Sequence, residues 1–76
     1  MTDLDARLLH VMQDLFENDQ LDDTVSQQNC EAWDSLLHLR LVVALEDAFH
    51  VILEPEDISE MQDFKSILAI LEKKIG

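Results

Sequence analysis

Residues 34–49 read DSLLHLRLVVALEDAF, a stretch with neither Gly nor Pro and an apolar side chain in every turn. The spacing predicts a helix over 35–49. Asp34 or Ser35 suits its start, because either side-chain oxygen can accept from the free N–H groups of a first turn. At 100° per residue the apolar side chains fall into two stripes. Leu37, Leu41, Ala44, Leu45 and Ala48 share one arc, the expected core face. Leu36, Leu39 and Val43 share another, at spacing i, i+3, i+7. One helix of a small bundle has a single inward arc, so the second stripe is expected at the surface. The alternative is that it packs beneath the preceding loop. Ser35 and Glu46 border the stripe on one flank, Arg40 and Asp47 on the other. An apolar strip with a charged rim has the composition of a docking surface.

On the N-terminal side, Leu4, Leu8, Val11, Met12, Leu15 and Phe16 predict an amphipathic helix over about 3–17. Thr2 and Asp5 form its T-x-x-D start. Residues 18–34, NDQLDDTVSQQNCEAWD, have no period, and Leu21, Val25, Cys30 and Trp33 are their larger apolar residues. So long a connection is usually functional or loosely ordered. Its acidic run at 19–23 lacks the Gly and the closing Glu of a calcium loop, so no metal site is expected. On the C-terminal side, VILEP leads to Pro55, which suits the first turn of a short helix over 55–60. A last helix is expected over 64–75. Asp63 caps it, Phe64, Ile67, Leu68, Leu71 and Ile75 are its buried stripe, and Lys73 and Lys74 complement its dipole. With one Gly and one Pro in the chain, a turn-rich β fold is excluded. The expectation is an all-α single domain over 1–76. It is a small three-to-four-helix bundle with a long loop between its first two helices.

The chain has 76 residues, 17 acidic and 5 basic, for a formal charge of −12. That length excludes a two-domain enzyme and leaves little interior to hollow into a catalytic pocket. Residues 1–64 hold sixteen of the acidic side chains and only Arg7 and Arg40 as basic ones, a formal −14. Nucleic acid is not an expected partner, because phosphate contacts need clustered Lys and Arg. An anionic membrane surface is repelled for the same reason. A partner with a basic face is the natural counterpart. The single cysteine, Cys30, excludes an internal disulfide and reads as a small apolar residue. No apolar run is long enough to span a membrane, and the start MTDLDARLL lacks signal-peptide character, so a cytoplasmic monomer is expected.

Ser35 would stand in open view at a helix N-terminus. With Asp34 adjacent and His38 three residues on, a Ser/His/Asp set can be written down. Nothing indicates an oxyanion hole or an acyl pocket, so no catalytic residue is assigned. A phosphodiester on Ser35 is better suited, since free N–H donors and the positive dipole end tolerate it.

Asp34-Ser35-Leu36 followed by LHLRLVVALEDAF resembles the modification site of acyl carrier proteins. The similarity continues through Ala44-Leu45-Glu46-Asp47 and Phe49 to Pro55-Glu56-Asp57-Ile58 and the closing segment from Phe64 to Ile75, so it covers the chain. The resemblance implies a carrier-type bundle in which Ser35 bears 4′-phosphopantetheine, with Asp34 and Leu36 completing the motif. It implies no activity of the chain itself. The implied partners are a phosphopantetheinyl transferase, an acyl- or aminoacyl-loading ligase, and downstream biosynthetic enzymes with basic surfaces. Leu36, Leu39, Arg40, Val43, Glu46 and Asp47 would face them. Phe49, Leu53, Ile58, Met61 and Ile67 would border the space that can shelter an acyl chain, or would simply be core.

The sequence also departs from the family. The usual Leu-Gly before the motif is absent, and Leu37 and Arg40 stand where acidic residues are common. The form W-D-S-L-x-H resembles discrete carriers outside housekeeping fatty-acid synthesis. A different class of function stays open, an acidic helical interaction module without a prosthetic arm.

Overall fold

Four helices account for most of the fold of residues 3–75, the residues that the computed structural model describes. They are α1 (Asp3–Phe16), α2 (Ser35–Phe49), α3 (Pro55–Glu60) and α4 (Phe64–Ile75). Each begins for a local reason. The Asp34 carboxylate accepts from the Leu37 N–H at 2.9 Å, so Asp34 rather than Ser35 caps α2. Pro55 opens α3, and the Glu54 N–H donates to Asp57 Oδ2 at 3.0 Å. Asp63 Oδ1 accepts from the Ser66 N–H at 2.7 Å and caps α4. The expected Thr2 start of α1 lies outside the described residues.

Leu8 and Met12 of α1, Leu41 and Leu45 of α2, and Phe64, Ile67 and Leu71 of α4 form the center of one apolar cluster. Two details differ from the periodicity. On α4, Ile70 is buried while Ile75 is 51% exposed, because the last turn runs past the end of the core. On α2, Val42 and Phe49 are buried, while Leu37, Ala44 and Ala48 are only half-buried. The inward face is thus rotated toward the flank that also carries His38 and Glu46. The flanking chain covers that side. Trp33 and the Ile58 carbonyl meet His38, and Arg7 lies 4.9 Å over the Phe49 ring.

The 18–34 segment is ordered by its own apolar residues. Leu21, Val25 and Trp33 are buried in the core, and Cys30 is half-buried. An isolated antiparallel bridge, Ser26 to Asp63, pins it to the start of α4. Its bonds run from the Phe64 N–H to the Val25 carbonyl (3.1 Å) and from the Gln27 N–H to the Gln62 carbonyl (2.9 Å). Asn29 closes the turn beside it, donating to the Thr24 carbonyl and accepting from the Ser26 N–H.

At the far end, Lys74 pairs with Asp57 at 2.9 Å and joins α4 to α3. The Lys74 ammonium, helped by the Glu54 N–H, holds the Asp57 carboxyl below its ordinary value, and Asp57 raises Lys74 in return. Hydrogen bonds from Ser66 hold the Asp63 carboxyl low as well.

α2 ends at His50 with φ 55° and ψ 46°, a left-handed position where a β-carbon crowds the following carbonyl. His50→Gly should raise stability by about 1 kcal/mol, since Gly adopts this conformation without that crowding. The melting temperature should then rise by roughly 4–8 °C. An unchanged or lower value would mean that the imidazole makes a contact outweighing the strain.

Candidate functional site

Ser35 occupies the first position of α2 and is exposed, one residue after the Asp34 cap. The chain enters it through a tight sequence of backbone bonds. The Trp33 N–H reaches the Cys30 carbonyl, the Asp34 N–H the Ala32 carbonyl, and the His38 N–H the Asp34 carbonyl at 2.9 Å. The helix start is fixed, yet Ser35 is exposed. Beside it lies an open groove of about 470 Å3 lined by Gln27, Trp33, Asp34, Ser35, His38 and Leu39.

The apolar strip is where the spacing puts it. Leu36, Leu39 and Val43 are 60%, 59% and 65% exposed, so the loop does not cover them. Arg40 and Asp47 are exposed beside the strip. Arg40 shares a second shallow depression with Leu36, Leu37 and Glu17 on the side toward α1. Glu46 stands apart from the other rim residues. It is half-buried, and its Oε2 accepts from the Leu53 N–H at 2.9 Å, which ties the end of α2 to the chain leading into α3. Its first role is therefore internal, leaving Asp47 as the fully exposed carboxylate of the pair.

His38 was not assigned a site role from the sequence, yet it organizes this end of the molecule. The Trp33 indole N–H donates to its Nδ1 at 3.0 Å, and its Nε2 lies 2.9 Å from the Ile58 carbonyl. The two rings stack at 6.1 Å with 26° between planes. The available signal was the tryptophan five residues earlier, because a buried indole N–H requires an acceptor. These bonds also bear on the Ser/His/Asp set. Asp34 Oδ1 is used on the Leu37 N–H and both His38 nitrogens on other partners, so the relay from carboxylate through imidazole to hydroxyl is not assembled.

Phe49, Leu53, Met61 and Ile67 are buried in the core cluster and Ile58 is packed against it. Among the described residues, no group of three His, Cys, Asp or Glu is placed to hold a metal ion, and no helix is long and apolar enough to cross a membrane.

The formal charge of −12 sets an ionic-strength dependence. Raising salt from about 0.01 to 0.15 M shortens the screening length from about 30 to about 8 Å, which weakens repulsion between exposed carboxylates. The melting temperature should rise across that range. A flat response would mean that the charges stand too far apart to act on one another. No model of a known protein family matches the chain, and no curated protein matches it.

Proposed function

We propose that this chain is an acyl carrier protein whose Ser35 bears 4′-phosphopantetheine. The carrying observation is the exposed Ser35 at the first position of a capped helix, directly followed by the uncovered strip Leu36, Leu39 and Val43. The fit is both steric and electrostatic. The hydroxyl opens onto a groove rather than into the core, and the helix start supplies free N–H groups and a positive dipole end to a phosphodiester.

The arm, once bound, supplies a thiol that holds acyl groups as thioesters. The chain's own residues do the rest. On the transferase, the Ser35 oxygen would form a bond to the pantetheine-bearing phosphorus of coenzyme A as the pyrophosphate P–O bond breaks; adenosine bisphosphate leaves, and the hydroxyl proton passes to a base of the transferase. The Asp34 carboxylate holds the helix start in place throughout. Leu36, Leu39 and Val43 give a partner an apolar footing, and Asp47 and Arg40 set its register. Exposed ion pairs contribute about 0.2–1 kcal/mol each, which suits brief contacts with successive enzymes. Those enzymes are a phosphopantetheinyl transferase, a loading ligase for acyl or aminoacyl groups, and downstream biosynthetic enzymes with basic faces, all in the cytoplasm.

The strip alone would equally serve an acidic interaction module without an arm. Incubation with coenzyme A and a broad-specificity transferase separates the two. The carrier reading expects the intact mass to increase by one arm, and no increase for Ser35→Ala. A helical, folded wild-type protein that stays unmodified overturns it.

A further inference from the structure

Trp33 and His38 lie on either side of Ser35 in the chain, and their side chains meet. An indole N–H can only donate, so His38 Nδ1 must be the acceptor of the 3.0 Å bond. The ring proton then sits on Nε2, which donates to the Ile58 carbonyl at 2.9 Å. One neutral imidazole therefore joins three elements, the end of the 18–34 segment, α2 and α3. The bridge is anchored in the core, since Trp33 is 4% exposed and meets Phe16 edge-on at 5.6 Å. In the same core, Leu53, Met61 and Ile67 are buried in the apolar cluster.

The outer side differs. The groove beside Ser35 has an apolar wall in Leu39 and polar groups in Gln27 and Asp34. Gln27 Nε2 lies 3.4 Å from the same Nδ1. That nitrogen has one lone pair, and the shorter indole bond takes it, so the Gln27 amide remains available to a ligand. Such a lining fits a slender chain of amides and short alkyl segments.

We propose that His38 is a positioning residue for the group carried on Ser35. Its bridge shuts the seam between α2 and α3 at this level and routes the arm along the outer groove, with an arm amide against Gln27 and alkyl carbons against Leu39. This rests on the carrier reading.

The test compares NMR spectra of the apo and arm-bearing proteins. Attachment should shift the Gln27 side-chain amide, the Trp33 indole N–H and the Leu39 methyls, and leave the Leu53 and Ile67 methyls in place. His38→Gln should keep that pattern, because Gln also offers one acceptor and one donor. His38→Ala should lose the groove shifts or move them to Leu53 and Ile67. If that variant fails to fold, Trp33→Phe, which removes the indole N–H together with part of the ring, takes its place: Nδ1 is freed, the Gln27 amide turns to it, and the groove shifts should be lost. Shifts at Leu53 and Ile67 in the wild type, with Gln27 and Leu39 unmoved, would overturn the proposal. So would a folded His38→Ala or Trp33→Phe protein with the wild-type pattern. The intact mass of the same sample distinguishes the two levels. An unmodified Ser35 overturns the carrier reading and this proposal with it, whereas a modified Ser35 with the wrong shifts overturns this proposal alone.

Discussion

Leu41→Ala should lower stability by about 2–5 kcal/mol, while Leu39→Ala, two residues away, should change it by no more than about 0.5 kcal/mol. Leu41 is fully buried between α1 and the rest of the core, so truncation leaves a cavity as well as losing transfer energy. Leu39 is 59% exposed, and water fills the space its side chain vacates. The functional effects should run the other way. Leu39→Ala and Leu36→Ala should slow arm transfer to Ser35 in protein that melts like the wild type. Urea unfolding and a timed transfer assay measure the two properties separately. A large stability loss for Leu39→Ala with undiminished transfer would show that the strip is structural.

This contrast could be read from the sequence because helical spacing is a local property. The i, i+3, i+7 rhythm of Leu36, Leu39 and Val43 stands apart from Leu41 and Leu45 whatever the rest of the chain does. The starts of α2, α3 and α4 were equally legible, since Asp34, Pro55 and Asp63 act on backbone groups within three or four residues. Features that depend on distant chain were harder to see. Val42 and Phe49 are buried because segments on both sides of α2 fold over that flank, which periodicity within the helix does not encode. Glu46 reads as a free surface charge until the 51–54 segment returns to place the Leu53 N–H against it. Ile75 keeps the α4 rhythm but lies beyond the reach of the core. His38 acquires its role from a carbonyl twenty residues away, and only the Trp33 half of that contact leaves a local trace.

Trp33→Ala should cost about 3–5 kcal/mol, a large fraction of the total stability of so small a domain. Trp33 is the largest side chain that the 18–34 segment buries, and it packs on Phe16 and His38 together. Its loss leaves a cavity and frees the Nδ1 acceptor of His38. Trp33→Phe keeps most of the ring and removes the donor, and should cost about 1 kcal/mol. The Gln27 amide, already 3.4 Å from Nδ1, can take over part of the bond. Urea melts followed by circular dichroism measure both variants. A Trp33→Ala protein as stable as the wild type would mean that the segment is held by its bridge to Asp63 and by Leu21 and Val25 alone.

Ser35 is the proposed site at which this protein is modified. Fragment mass mapping of the protein isolated from its own cells tests it most directly. One phosphopantetheine is expected on the peptide containing Ser35, and none on those containing Ser26, Ser59 or Ser66. A native protein with Ser35 bare, or with the arm on another serine, would contradict it.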